Sequence, residues 1–327
     1  MSDGKVVFVT GGHGFVGSWV VRELLQRGYR VRCLVRRSSR THRIDDLPVE
    51  RFVGDILDAA SLEEGMRGAD LCIHLAGISS YKDMQEDWTI PTIVDGTRNV
   101  LQKAREAGIR RTVYIGSGVV YSCRDPNRVA DESSPFLLHD SNLFYALGKH
   151  RAEQVVDEFV AAGSDVVVAI PMETYGPRDD EFLTTGYLKE AINGWPALAT
   201  EGGVSFAHVE DVARGIVLAL EKGRCGERYI LGGENASIAE IITMACDIAG
   251  RPKRPIVLPT KLTKLALVAM SRLGLNPPEH PNAVDYGSLY AYVRIDKARE
   301  ELGYAPRSGR ETLASTIDWL REAGHIR

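Results

Sequence analysis

Tyr145 and Lys149 stand four residues apart in the run Tyr145, Ala146, Leu147, Gly148, Lys149. On a helix that spacing puts the phenol and the ammonium on one face. The chain has 12 tyrosines, and only Tyr145 is followed by a lysine four positions on. A phenol that ordinarily titrates near about 10 is a weak acid-base group at neutral pH. An ammonium and an oxidised nicotinamide ring beside it both favour the phenolate and bring it toward the working range. Tyr145 can then hand a proton to a carbonyl oxygen as a hydride reaches the carbon. Ser117, in Tyr114, Ile115, Gly116, Ser117, Gly118, directly follows an apolar run and offers a hydroxyl to hold that oxygen. A plain turn residue is the competing role for it.

Hydride chemistry needs a nucleotide, and the start of the chain has the loop for one. Val6 to Thr10 runs into Gly11, Gly12, His13, Gly14, Phe15, Val16, Gly17. The glycines satisfy both G-x-G-x-x-G and G-x-x-G-x-x-G, and the two registers share Gly14 and Gly17. Such a loop lets the pyrophosphate approach the main chain, while the following helix aims its unpaired amides at phosphate. A carboxylate at the end of the second strand would accept the ribose hydroxyls of NAD. Here the strand ends Cys33, Leu34, Val35 and continues into Arg36, Arg37, Ser38, Ser39, Arg40. Guanidinium groups match phosphate oxygens, so the expected cofactor is NADP, with Arg36 as the main contact and Arg37 beside it. A solvated loop is the alternative. Asp55 is placed to accept from the adenine amino group, or else to cap a helix. Leu75, Ala76 and Gly77 would pass beneath the dinucleotide.

These residues require a scaffold that brings strand ends together, and the first half of the chain has its pattern. Apolar runs at 5–10, 30–35, 50–54, 70–75, 111–116 and 165–171 alternate with helical stretches at 15–27, 58–67, 88–107 and 143–162. That is the signature of an α/β fold, a doubly wound parallel sheet covered on both faces. Residues 1–171 are expected to form the dinucleotide-binding Rossmann domain. Residues 172–327 form mainly a smaller α/β substrate-binding domain, with some segments returning to the first. Helices are expected there at 181–193, 209–222, 237–249, 260–273 and 309–323, and a strand at Arg228 to Leu231.

The 327 residues are 44% hydrophobic with a net charge of -4, which argues for small-molecule chemistry and against nucleic acid. Five widely spaced cysteines suggest neither a disulfide framework nor a metal site, and a reduced, cytoplasmic compartment is expected. No membrane span is expected. Leu262 to Leu275, the most apolar late segment, is interrupted by Lys264 and Arg272 and reads as a surface or lid helix.

The motifs taken together resemble the extended short-chain dehydrogenases/reductases. They are Thr10 to Gly17, Asp55, Leu75 to Gly77, Ser117, Tyr145 with Lys149, Gly176 to Arg178, and Phe206 to Val212. Gly14 to Trp19 and Val31 to Arg36 look most like dihydroflavonol and cinnamoyl-CoA reductases. The resemblance implies seven parallel strands, hydride transfer, a carbonyl or alcohol substrate and often a homodimer. It adds Ile56 and Pro171, with Tyr145 and Lys149, to the cofactor contacts. It also implies Ser79, Tyr81, Ser117, Thr174 and Tyr175 as substrate contacts. Ile93 stands where the family commonly has asparagine, and Gly116 and Gly118 flank Ser117 where further hydroxyls are usual. The leading expectation is an NADP-dependent carbonyl reductase. An NAD-dependent nucleotide-sugar epimerase is the alternative, and a non-catalytic dinucleotide sensor a remote third.

Overall fold

Fully apolar runs become central strands because both faces of a parallel sheet are covered. The computed structural model describes residues 4–78, 86–194, 196–275 and 283–326. The first part of the chain forms β1 (Val6–Thr10), α1 (Phe15–Gln26), β2 (Arg30–Val35), β3 (Glu50–Val53), α2 (Ala59–Met66), β4 (Leu71–His74), α3 (Thr89–Glu106), β5 (Arg111–Ile115), β6 (Val129–Ala130), α4 (Phe144–Ala161) and β7 (Val166–Pro171). There follow β8 (Glu173–Tyr175), α5 (Gly186–Asn193), β9 (Leu198–Ala199), β10 (Gly203–His208), α6 (Val209–Lys222), β11 (Arg228–Leu231), β12 (Glu234–Ser237), α7 (Ile238–Ile248) and β13 (Ile256–Val257). The chain closes with α8 (Thr260–Arg272), α9 (Ala283–Gly287), β14 (Tyr290–Val293) and α10 (Gly309–Glu322).

Seven strands make one parallel sheet in the order β3-β2-β1-β4-β5-β7-β11, as the sequence leads one to expect. Strand alternation sorts its side chains. Val7 and Val9 enter the large core under one face, and Phe8 enters a smaller cluster with Leu62, Met66 and Cys72 under the other. A second sheet, β12-β10-β14-β6 with β8 added to β10, covers a separate core that includes Tyr175, Phe206 and Ile241. Of the later strands β11 joins the first sheet, while β9 and β13 pair as a separate two-stranded sheet.

The helix expected at 181–193 begins instead at Gly186. Asp179 is the cause: its carboxylate accepts from the amides of Leu183, Thr184 and Thr185 and holds the preceding residues in a turn. The other expected helices lie within a residue or so of their forecast bounds.

Candidate active site

The strand ends of the first sheet converge on the loop between β1 and α1. Gly11 has a φ of 74°, and a Cβ there would lie 2.7 Å from the Ala76 nitrogen. A Cβ on Gly17 would lie 2.1 Å from the Gly11 carbonyl oxygen. These two glycines are therefore demanded by the fold itself. Gly14 is different: a Cβ there meets only the Gly11 oxygen, at 3.3 Å, so the space above it is open. Gly14 is also the N-cap of α1, with no side-chain cap and no acid in the first turn. By contrast, α7 and α10 both begin with complete capping boxes. The uncapped amides of α1 leave their satisfaction to an anion. A dinucleotide pyrophosphate fits this cradle.

A buried hydrogen-bond chain fixes the floor. The Ala76 amide donates to Thr10 Oγ1 (3.1 Å), and the Thr10 hydroxyl donates to His74 Nδ1 (2.7 Å). His74 Nε2 donates to Thr97 Oγ1 (3.3 Å), whose own hydroxyl donates to the Ile93 carbonyl (2.8 Å). Every donor and acceptor is used once if His74 is neutral with its proton on Nε2. Burial, helped by the Lys149 charge, pushes its imidazole down to about 3 and keeps it so. Leu75, Ala76 and Gly77 follow directly from this anchor.

At the end of β2, Arg36 and Arg37 are exposed, and the Arg36 amide donates to Ser39 Oγ at 3.0 Å. Arg36 acts electrostatically on His13, as does Arg43, a residue the sequence reading did not select. Arg43 is only 3% exposed; its Nε donates to the Arg178 carbonyl (3.0 Å) and lies 3.3 Å from Asp180. One terminal nitrogen of Arg43 and Nδ1 of His13 are buried with no hydrogen-bond partner among the described residues. Burial, then Arg36 and Arg43, hold the His13 imidazole below its usual range, with Glu181 opposing them. Arg36 and Arg37 thus stand exposed directly after β2 with no carboxylate at the strand end, whereas Arg43 is buried against Asp180, with Glu181 3.8 Å away.

Asp55 behaves mainly as a turn former: its Oδ1 accepts from the Leu57 amide at 2.9 Å. The cap of α2 is Asp58. Ile56 packs over Gly96 of α3, and Pro171 ends β7 beside Leu231.

Ser117 and Tyr145 come together across β5 and α4. Burial raises the Tyr145 phenol, and the hydrogen bond with Ser117 lowers it. Lys149 is turned away from the phenol. Its Nζ donates to the Ile115 carbonyl at 2.9 Å and would lie 3.7 Å from a Cβ on Gly77, the end of the dinucleotide floor. Burial pushes this ammonium down to about 8, while the carboxylate of Glu153 one turn on raises it. Glu153, itself 4% exposed, pairs with Arg228 at 3.1 Å. Spacing on the helix pointed to Tyr145 and Lys149 but carried no sign of Glu153, which looks like any helix-surface acid in the sequence.

The remaining expected contacts divide. Ser79 and Tyr81 lie outside the described residues, as does Trp195. Thr174 and Tyr175 are buried in the second core. Thr174 Oγ1 donates to the Met172 carbonyl at 2.9 Å, and the Tyr175 hydroxyl bonds that of Tyr187. Both side chains are held by packing rather than presented to a cleft. Ile93 is 4% exposed at the contact of α3 with α4, where its Cδ1 would be 3.2 Å from a Cβ on Gly148. The change from asparagine therefore fills a helix interface and does not widen a pocket.

A parallel sheet with a glycine-cradled phosphate site, beside a half-buried serine and tyrosine and a buried lysine, defines a nicotinamide-dinucleotide-binding oxidoreductase fold. The family model for the NAD dependent epimerase/dehydratase family matches residues 7–232, and the chain belongs to that family, in its extended short-chain dehydrogenase/reductase branch. A Synechocystis protein provisionally named dihydroflavonol 4-reductase is 34% identical, over 98% of this chain and 96% of its own length. Sterol demethylase protein B of Methylococcus capsulatus is 31% identical, over 97% and 99%. Among solved structures, PA4631, a nucleoside-diphosphate-sugar epimerase from Pseudomonas aeruginosa, superposes with a TM-score of 0.81 at 26% identity, covering 99% of each chain.

Proposed function

We propose that the protein is an NADP-dependent carbonyl reductase that converts a ketone or aldehyde to an alcohol, or runs the reverse. The observation that carries this reading is the Ser117–Tyr145 hydrogen bond set beside the Leu75–Gly77 floor that Lys149 reaches. When bound, a reduced nicotinamide supplies a hydride to the carbonyl carbon. Ser117 holds the carbonyl oxygen, and Tyr145 gives it a proton, which completes the hydroxyl. Lys149 holds the ribose side and keeps positive charge close to the site. Arg36 and Arg37 support NADP over NAD, because exposed guanidinium groups directly after β2 suit a 2'-phosphate and no acid at the end of β2 repels it. The name of the Synechocystis relative accords with a reductive rather than an epimerising role. All five cysteines are free, which suits the reducing cytoplasm. The homodimer expected from the family belongs to the same reading.

NADPH oxidation against a panel of ketones and aldehydes tests the activity. Tyr145→Phe should lower turnover about 100-fold or more and leave NADPH affinity near that of the wild type, as for a lost general acid. Near-normal turnover in a chemistry-limited step would remove Tyr145 from the role. Tightly held NAD in the purified protein would favour the epimerase reading instead.

A further inference from the structure

The exposed apolar side chains are unevenly placed. Leu262, Leu265, Leu273 and Leu275 are each more than half exposed, Leu273 at 77%. Ile256 and Val257 of β13 are exposed just upstream. At 3.6 residues per turn, Leu262, Leu265, Ala266, Ala269 and Leu273 fall within an arc of about 100° on α8 and its C-cap. That arc points away from Leu267, the one buried residue of the helix. Among the described residues, no element covers this stripe.

Its charge leans positive, although the Glu201 carboxylate accepts from the Thr260 amide (2.9 Å) at the start of α8 and Arg254 lies 3.7 Å from Asp247. From Arg251 to Leu275 there are six lysines and arginines and no carboxylate, in a chain whose net charge is -4. Lys253 is spent on the carbonyls of Ala191, Ile192 and Gly194, and Lys264 on Asp285 of α9 (2.5 Å). Lys261 and Arg272, at the two ends of α8, are exposed and have no ion pair among the described residues. Both project along the same flank of the leucine stripe.

We propose that the outer face of α8 docks on an anionic lipid bilayer. Leu262, Leu265 and Leu273 enter the boundary between headgroups and acyl chains, and Lys261 and Arg272 pair with lipid phosphates. A second copy of the chain suits the face poorly, because apposing two such surfaces would bring like charges together. The helix lies in the surface and does not cross it, in keeping with the absence of any helix long and apolar enough to span among the described residues. The Lys264–Asp285 pair joins α8 to α9, and Tyr286 of α9 lies against the backbone amides of Tyr145 and Ala146. The inner side of α8 is thus linked through α9 to the backbone at Tyr145, while its leucine stripe faces outward. The docking itself does not depend on the chemistry proposed above.

Sedimentation of the full chain with vesicles tests it. The protein should pellet with vesicles of mixed phosphatidylcholine and phosphatidylglycerol, but not with phosphatidylcholine alone, and high salt should weaken the binding. Lys261→Gln with Arg272→Gln should weaken it about 25-fold, roughly fivefold per cation. Leu262→Ser with Leu265→Ser keeps the charge and should weaken it on the order of tenfold or more. Unchanged melting temperature and dinucleotide binding in both variants would place the loss at the surface. Wild-type protein that ignores phosphatidylglycerol vesicles overturns the proposal, as does binding indifferent to both variants. A dimer that the leucine changes dissociate, without vesicle binding, would assign the face to a second copy and equally overturn it.

Discussion

If Arg36 reads the 2'-phosphate, Arg36→Ala removes one or two charge-assisted hydrogen bonds and nothing structural. Its backbone amide alone makes the turn contact to Ser39, and its side chain has no ion pair among the described residues. Such bonds contribute about 1.5–3 kcal/mol, so NADPH should bind about 10- to 100-fold more weakly and NADH nearly as before. The lower end is the better expectation, because Arg36 is exposed and screened by salt, and because Arg37 remains beside it. Arg43→Lys provides the complementary change: it keeps the buried charge but loses the planar fork that meets the Arg178 carbonyl. Calorimetric titration of both cofactors against wild type and each variant separates the contributions, with 2',5'-ADP as a fragment that carries the phosphate without the nicotinamide. Equal losses for NADPH and NADH in Arg36→Ala would mean that the arginine shapes the loop without reading the phosphate. Wild-type preference for NADH would refute the assignment of the phosphate site to these arginines.

Two further perturbations probe the catalytic face and the phosphate cradle. Glu153→Gln removes the carboxylate that raises Lys149, so the fall of kcat/KM as pH rises through about 8 should move to lower pH, while Glu153→Asp should hold it near the wild-type position; identical profiles for all three proteins would show that Glu153 does not act through Lys149. Gly14→Ala should leave the melting temperature of the free protein nearly unchanged yet weaken dinucleotide binding about tenfold or more, because the new methyl fills the open cradle. Gly17→Ala should instead lower the melting temperature of the free protein, its Cβ colliding with the Gly11 carbonyl; the opposite ordering in a thermal melt would contradict the geometry of the loop.

The central strands were legible because β1, β2, β4, β5 and β7 are short apolar runs bounded by turn residues. Burial on both faces makes that pattern almost continuous. The second sheet and the separate β9–β13 pair were much less visible. β6, β9 and β13 have two residues each, too few to show any period, and β10 follows Gly202 with the mixed run Gly203, Val204, Ser205, Phe206. In the candidate site, Tyr145 and Lys149 could be read from spacing on one helix. Arg43 could not: an arginine in a polar loop looks solvated until the 176–182 segment folds over it. The His74 chain was equally hidden, since it joins residues from β1, β4 and α3 that no local pattern connects. Thr174 and Tyr175 sit near the right strand end, but their orientation depends on β10, whose pairing partners come from far along the chain.

The outer edge of β7 pairs with β11, so the first sheet is not finished until Leu231 is available. A nascent chain that has emerged only as far as Pro171 presents Val166 to Ile170, all fully buried in the final fold, as a bare apolar edge. The same holds for α6, which packs on α1 and β7 from the far side of β10. The amino-terminal half therefore cannot close early during synthesis and wait for the rest. It stays an open template until both halves are out, so completing the sheet waits on a long-range pairing of the kind that slows folding.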